Sequence, residues 1–421
     1  MLVALAVHVS LAAGVSTAEV DKVLSPKLAS LVATYEDLHA HPELSEKEAQ
    51  TSAKLAAKLK TLGYAVTTGV GLHGVVAILK NGDGPTLLVR ADMDALPVTE
   101  DTGLTYASTT RGVMHACGHD VHMTSLLGTA EVMARLKDRW RGTLMLIGQS
   151  AEEVGKGAKA MLSAGLYEKF AKPTYALALH VDAGSPMGVV STRSGYVLAN
   201  VDSVDITVRG VGGHGAAPEM AKDPIVMASE LVMTLQTLVS RELSPGEPGV
   251  VTVGSFHGGT KHNIIPDEVK LQLTVRSYGE AARKLLLDGI ARIANGVAAA
   301  HGVPADRMPV ITNHPGGTPA TYNDPELTER LTRIWIAELG ESTVKPRAPR
   351  MTGEDFGRFS LPDHSVPAVF FFVGATDPKL MEHGKAAPSE HSSRFAPVAE
   401  VVIKRGVQAT VVAATALLQA R

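Results

Sequence analysis

The sequence predicts an α/β protein of two domains, in which an α/β domain is interrupted by an inserted ferredoxin-like α+β domain. Three observations lead there. The chain has 421 residues, 45% hydrophobic and 20% charged, the composition of a folded protein too long for one ordinary core. From Pro26 onward, short continuous apolar strands alternate with helical stretches, and the same rhythm resumes after about residue 310. Between them the order changes to strand, helix, strand, strand, helix, strand. The expected boundaries are 26–193 and 310–421 for the two parts of the first domain and 194–309 for the insertion.

Taken in order, Leu2 to Val15 is a nearly uncharged apolar run followed by Ser16-Thr17-Ala18, small residues of the kind found at a signal-peptidase site. Residues 1–18 are therefore expected to be a signal peptide cleaved after Ala18, giving a periplasmic or secreted protein. No Lys or Arg precedes the run, which leaves open a buried helix in a cytoplasmic protein. A helix should end near His39, and a second should run from Ser45 to Leu62, since Ser45 with Glu48 three residues later reads as a capping box and Gly63 as a stop. Val75 to Leu79 and Thr86 to Arg90 read as strands separated by the turn Asn81-Gly82-Asp83-Gly84. Strands at Thr143 to Ile147 and Tyr175 to Leu179 alternate with helices at His122 to Lys137 and Lys156 to Ala164. The insertion reads Val204 to Val208, helix Pro224 to Ser240, strands Val250 to Phe256 and Val269 to Val275, helix Ala281 to Ala300, and a strand near Met308 to Thr312. Helix Pro325 to Leu339, strand Ala368 to Val373 and helix Pro397 to Leu418 complete the chain.

A formal net charge of −3 without long like-charge runs provides no basic stripe for nucleic acid or anionic membranes, and no later segment reads as a membrane span. Cys117 is the only cysteine, so it cannot form an internal disulfide.

The densest chemical cluster is His115-Ala116-Cys117-Gly118-His119-Asp120-Val121-His122. In an extended backbone Cys117 and His119 face the same way and can present a thiolate and an imidazole to a divalent metal, with Gly118 permitting a tight turn. The pattern equally suits a buried cysteine beside a helix start, or a cysteine nucleophile with a histidine base. Glu152-Glu153 follows the strand ending at Ile147, His180 follows the strand ending at Leu179, and Asp92-Met93-Asp94 follows the strand ending at Arg90. Open α/β sheets place ligand sites at the C-terminal ends of their strands, so these clusters should converge on one cleft. Each taken alone also suits a solvated loop.

These residues resemble those of the M20 metallopeptidase family, in its amidohydrolase branch of hippurate hydrolases, aminoacylase-like carboxypeptidases and auxin-conjugate hydrolases. The matching blocks are Leu38 to Ser45, Arg90 to Pro97, Met114 to His122, Gln149 to Glu153, Gly212 to Pro218, Asn263 to Pro266, Glu354-Asp355-Phe356 and Glu390-His391. The resemblance implies a metal-binding α/β catalytic domain with an inserted lid or dimerisation domain, and hydrolysis of N-acyl amino acids or dipeptide-like conjugates by water activated by two divalent ions. It implies Cys117, His119, Glu153, His180 and His391 as metal ligands, Cys117 bridging where an aspartate does so in related branches. Glu152 would then be the general base, and Asp94 matches an acid that orients a ligand. Asp92 stands where those branches carry a metal-binding histidine. Ser150 departs from a frequent proline. His214 would contact the substrate carbonyl across a homodimer, although from spacing it also reads as an exposed loop histidine. Asn263 and Arg276 could bind a substrate carboxylate, or Arg276 could be a plain surface residue. Mixed Cys, His and carboxylate donors suit Zn, Mn, Co or Ni. Two other readings stay open: a cysteine hydrolase acting through Cys117, and a non-catalytic metal-binding solute receptor.

Overall fold

The computed structural model describes residues 14–314, 317–384 and 386–419. These fall into two units, Leu198–Thr321 with Pro349–Glu354 forming one and the remaining described residues the other. The larger unit opens with α1 (Thr17–Leu24), α2 (Leu28–Ala40) and α3 (Ala49–Thr61), then β1 (Ala65–Thr68), β2 (Val75–Asn81) and β3 (Thr86–Asp92). It continues with α4 (His119–Arg135), β4 (Gly142–Gln149), α5 (Gly157–Ser163), α6 (Leu166–Phe170), β5 (Tyr175–Pro186) and β6 (Val190–Thr192). β7 (Gly195–Leu198) leads into the smaller unit, which holds β8 (Asn200–Arg209), β9 (Gly213–His214), α7 (Pro224–Thr237), β10 (Gly249–Gly258), β11 (Ile264–Ile265), β12 (Glu268–Ser277), α8 (Glu280–Ala300) and β13 (Val310–Asn313). After β14 (Thr321–Asn323) the larger unit resumes with α9 (Pro325–Leu339), β15 (Val344–Pro346), β16 (Ala368–Thr376) and α10 (Ala399–Leu417).

The larger unit is built on a mixed sheet in the order β1-β2-β4-β3-β5-β16-β6-β15. Its central strands β4, β3, β5 and β16 run parallel and are buried on both faces, which is why they read as continuous apolar runs. The pairing of β3 with β5 ends at Arg90 opposite Ala178. Asp92 and His180 lie just beyond, where the two strands no longer bond. The strand bearing His180 does not stop at Leu179 as the sequence suggested. It runs on to Pro186, paired with β16, because the apolar signal fades at polar residues while the ladder continues.

The smaller unit has the antiparallel order β10-β12-β8-β13, with α7 and α8 contributing to a separate hydrophobic core. Strand order and the β-α-β-β-α-β sequence are those of a ferredoxin-like domain.

The local expectation for the start of the second helix is corrected. Helix α3 begins at Ala49, and Ser45 and Glu48 form no capping box. The Glu43 carboxylate instead reaches forward to accept hydrogen bonds from Gln50 N and Thr51 N, at 3.2 and 2.7 Å. At the N-terminus, residues 1–13 of the segment expected to be a signal peptide lie outside the described residues. Val15 is buried, with its N–H donating to Thr415 Oγ1 at 3.1 Å. Ser16 caps α1 in a capping box with Glu19, so Thr17 and Ala18 are that helix's first two residues.

Candidate metal centre

Cys117 and His119 come together by a different backbone route from the extended one expected. Gly118 adopts φ +81 as the N-cap of α4, a left-handed conformation that glycine takes without steric cost. A Cβ there would also meet Val181 Cγ2 at 2.6 Å. The turn places the thiol just before the helix and the imidazole on its first residue.

Three histidines present the same ring nitrogen to the thiol and carboxylate. His119 Nδ1 is 2.7 Å from the Asp94 backbone oxygen and His180 Nδ1 is 2.6 Å from the Val181 backbone oxygen. Each Nδ1–H is thereby spent as a donor, leaving the Nε2 lone pair for another partner. His180 Nε2 lies 3.5 Å from Cys117 Sγ. Glu153 Oε1 is 3.8 Å from His119 Nε2 and 3.5 Å from His391 Nε2. His391 has φ +66, and its N–H donates to Ala116 O at 2.7 Å. The preceding Glu390 accepts from Ala183 N at 2.8 Å, tying this loop to the end of β5.

Among several groups of possible donors whose atoms lie within 4.8 Å of one another, one joins Cys117 with His119 and His180 and another joins Cys117 with Glu153 and His391. Cys117 belongs to both. His119, Glu152 and Glu153 form a further group, which puts Glu152 beside these ligand atoms. Within this cluster, buried His119 Nε2 and Glu153 Oε1 have no hydrogen-bond partner, the condition expected of atoms that ligate a cation. Soft and hard donors in this combination fit first-row divalent ions.

Electrostatics point the same way. Burial disfavours charge on His119, yet the carboxylates of Asp92, Asp94 and Glu153 outweigh it and raise its pKa to about 10. Burial raises Glu153 to about 7 against the opposing pull of His119. Burial also pushes the Cys117 thiol well up, and Glu153, Glu152, Asp92 and Glu390 push it further. A cysteine nucleophile needs the opposite environment. A thiolate here calls for positive charge close by, which divalent cations supply.

His122, also in the cluster, has both nitrogens engaged. Nδ1 is 2.6 Å from Asp92 Oδ1, and Nε2 accepts from Val181 N at 2.9 Å. Burial lowers its pKa to about 3. Asp92 in turn accepts from Arg90 Nη1 at 2.6 Å, and Arg90 Nε donates to Gln149 at 2.9 Å. Asp355 accepts from Gln149 Nε2 at 2.6 Å and Ala158 N at 2.9 Å. Asp92 is thus held by Arg90 and His122 beneath the cluster, a network that the sequence spacing did not reveal.

Asp94 accepts through Oδ2 from Ser45 Oγ at 2.6 Å and Glu153 N at 3.0 Å. It therefore touches His119 through its backbone and the glutamate turn through its side chain.

In the smaller unit, His214 is exposed on β9, which pairs with β11. Gly215 N donates to Asn263 O at 2.9 Å, bringing Asn263 beside His214. His214 Nδ1 accepts from Ala216 N at 3.0 Å, so the neutral ring carries its proton on Nε2. Arg276 lies on β12, half-buried, donating to Thr274 Oγ1 and Met351 O at 3.1 Å each.

The sequence model of peptidase family M20/M25/M40 matches residues 88–412. Thermostable carboxypeptidase 1 of Saccharolobus solfataricus is 38% identical over 376 residues, covering 88% of this chain and 91% of the relative. Hippurate hydrolase of Campylobacter jejuni is 39% identical over 345 residues, covering 80% and 87%. A crystal structure of a dinuclear metal-binding M20 peptidase from Bacillus subtilis superposes with a TM-score of 0.78 at 28% identity, covering 94% of this chain and 99% of that one. Most of the chain, including the strands and loops that assemble the donor cluster, thus follows one family's pattern, and the protein belongs to peptidase family M20/M25/M40.

Proposed function

We propose that this protein hydrolyses the amide bond of N-acyl amino acids or small dipeptide-like conjugates in a metal-dependent reaction. Cys117, His119, Glu153, His180 and His391 hold two divalent ions, of Zn, Mn, Co or Ni, and Glu152 is the general base. The observation that carries this reading is the pair of donor groups sharing Cys117, with Glu152 alongside. Bound ions supply Lewis acidity and make hydroxide available near neutral pH. Glu152 takes the proton of the attacking water and passes it to the leaving nitrogen. Glu153, held as a ligand, cannot be that carrier, which gives the adjacent glutamates separate tasks. A solute receptor would need no such carrier. Asp94 orients His119 and the glutamate turn.

His214 offers its Nε2–H to the substrate carbonyl as negative charge develops on oxygen. Asn263 and Arg276 bind the substrate carboxylate. The relatives' names, a carboxypeptidase and a hippurate hydrolase, support a substrate of this class. Assembly as a homodimer through the smaller unit is supported by exposed Met220, Val226 and Met233. Val226 and Met233 lie seven residues apart on the outer face of α7, and β10 is an edge strand.

Export through residues 1–18 belongs to the same proposal, with a cytoplasmic enzyme as the alternative. Among the described residues no helix is long and apolar enough to cross a membrane. Intact-mass measurement on protein from its own host decides between them. Cleavage after Ala18 would remove the cap and the first two residues of α1.

The mechanism is tested by Glu152→Gln, which keeps shape and removes the base. Turnover of an N-acyl amino acid should fall by about a hundredfold or more, with metal content by elemental analysis unchanged. Turnover near wild type would remove Glu152 from this role.

A further inference from the structure

We propose that Glu48 is a positioning residue for Glu152, holding the turn that carries it in a strained conformation. The inference rests on Glu152 being the general base. The turn Ala151-Glu152-Glu153 is pinned at both ends, at Ala151 by Glu48 from the segment before α3 and at Glu153 by Asp94 from the segment after β3. Ala151 N donates to Glu48 Oε1 at 2.8 Å, a buried bond across 103 residues of sequence. Glu153 N donates to Asp94 Oδ2, which also accepts from Ser45 Oγ. Glu152 sits between these two anchored amides.

The first anchor matters because Ala151 has φ +54 and is fully buried. For an alanine this left-handed conformation is strained and persists only where its surroundings enforce it. Glu48 is itself fully buried. Its Oε1 also accepts from Glu46 N at 3.0 Å, while Oε2 has no hydrogen-bond partner. Taking a carboxylate out of water in that state is unfavourable, and burial raises its pKa. Glu48 is the N-cap of α3, yet its side chain accepts no bond from that helix's first turn, whose Gln50 and Thr51 amides are served by Glu43. What its side chain does hold is the amide one residue before the base, together with its own turn. Removing that acceptor would let Ala151 relax toward negative φ and carry the Glu152 carboxylate away from the attacking water.

Reach and charge can be separated. Glu48→Asp keeps the charge but withdraws the oxygen by one methylene. Glu48→Gln keeps the reach of a carbonyl oxygen and removes the charge. The expected result is a kcat loss of about ten- to a hundredfold for Glu48→Asp, the scale of a misplaced catalytic group, with KM and metal content unchanged. Glu48→Gln should stay close to wild type. Adding Ala151→Gly to the Glu48→Asp variant should restore part of the lost kcat, because glycine adopts the positive φ without the anchor. Unchanged KM and metal content distinguish this from a general folding defect. The proposal is overturned by a Glu48→Asp variant at the wild-type rate, by equal losses in both Glu48 variants, by metal loss accompanying the Glu48→Asp defect, or by no recovery with glycine. Glu152→Gln, assayed in parallel, separates the two ideas. Full activity there removes the base assignment itself, whereas inactivity there with an unaffected Glu48→Asp variant removes only the positioning role.

Discussion

Cys117 contributes the one atom common to both donor groups, so substitutions there ask most directly what the cluster is for. Serine's hydroxyl is a poor bridging donor because it stays protonated, whereas aspartate brings an ionised carboxylate with two oxygens. Cys117→Asp should therefore retain more metal and more turnover than Cys117→Ser, measured by elemental analysis after dialysis and by kcat on one N-acyl amino acid. If both are equally inactive with normal metal content, the thiol acts as a nucleophile and the metal reading of Cys117 fails. At this scale the sequence made the convergence of these side chains legible, since Glu153, His180 and the Cys117-Gly118-His119 turn each follow a recognisable strand or open a helix. It did not make their supports legible. Nothing in the spacing shows that His122 Nε2 accepts from Val181 N. Ser45 and Glu48 look like a capping box until their side chains are found on Asp94 and Ala151. Each of those contacts spans 49 residues or more, and local spacing carries no information about such pairings.

Among the elements, those buried on both faces were readable from their apolar runs: β2, β3, β4, β5 and β16, with α9 begun by Asp324 and Pro325 as its cap and first residue. The short strands β1, β6 and β15 were not, since three or four residues are too few to leave a periodic signal. The start of α3 was misplaced because its cap comes from Glu43, outside the local pattern that capping motifs describe. That contact makes a prediction separate from catalysis. Glu43→Ala leaves the Gln50 and Thr51 amides without their acceptor and should lower unfolding free energy by about 1 kcal/mol, within the usual range for a lost cap. Denaturant titration checks the stability, and metal content should be unchanged. Unaltered stability would mean that water serves those amides equally well.

For the whole molecule, the decisive question is whether one chain's reaction needs residues from another. His214 presents Nε2–H from an exposed position on the smaller unit, whereas Glu152 and all five proposed ligands belong to the larger one. If His214 serves the same chain's metal centre, His214→Ala and Glu152→Gln subunits are each inactive and remain so in any mixture. If it serves the partner's centre in a homodimer, a mixed dimer contains one complete site. That site joins Glu152 from the His214→Ala subunit with His214 from the Glu152→Gln subunit. Random exchange at equal amounts makes half of the dimers mixed, each with one good site of two, so about a quarter of wild-type activity should return. His214→Ala alone should lower turnover without metal loss, because it removes a donor to the substrate rather than to an ion. Exchange is verified independently with differently tagged subunits. Verified exchange without recovery would place His214 in its own chain's site or outside the reaction. Metal loss in His214→Ala would show that it supports the centre instead of the carbonyl.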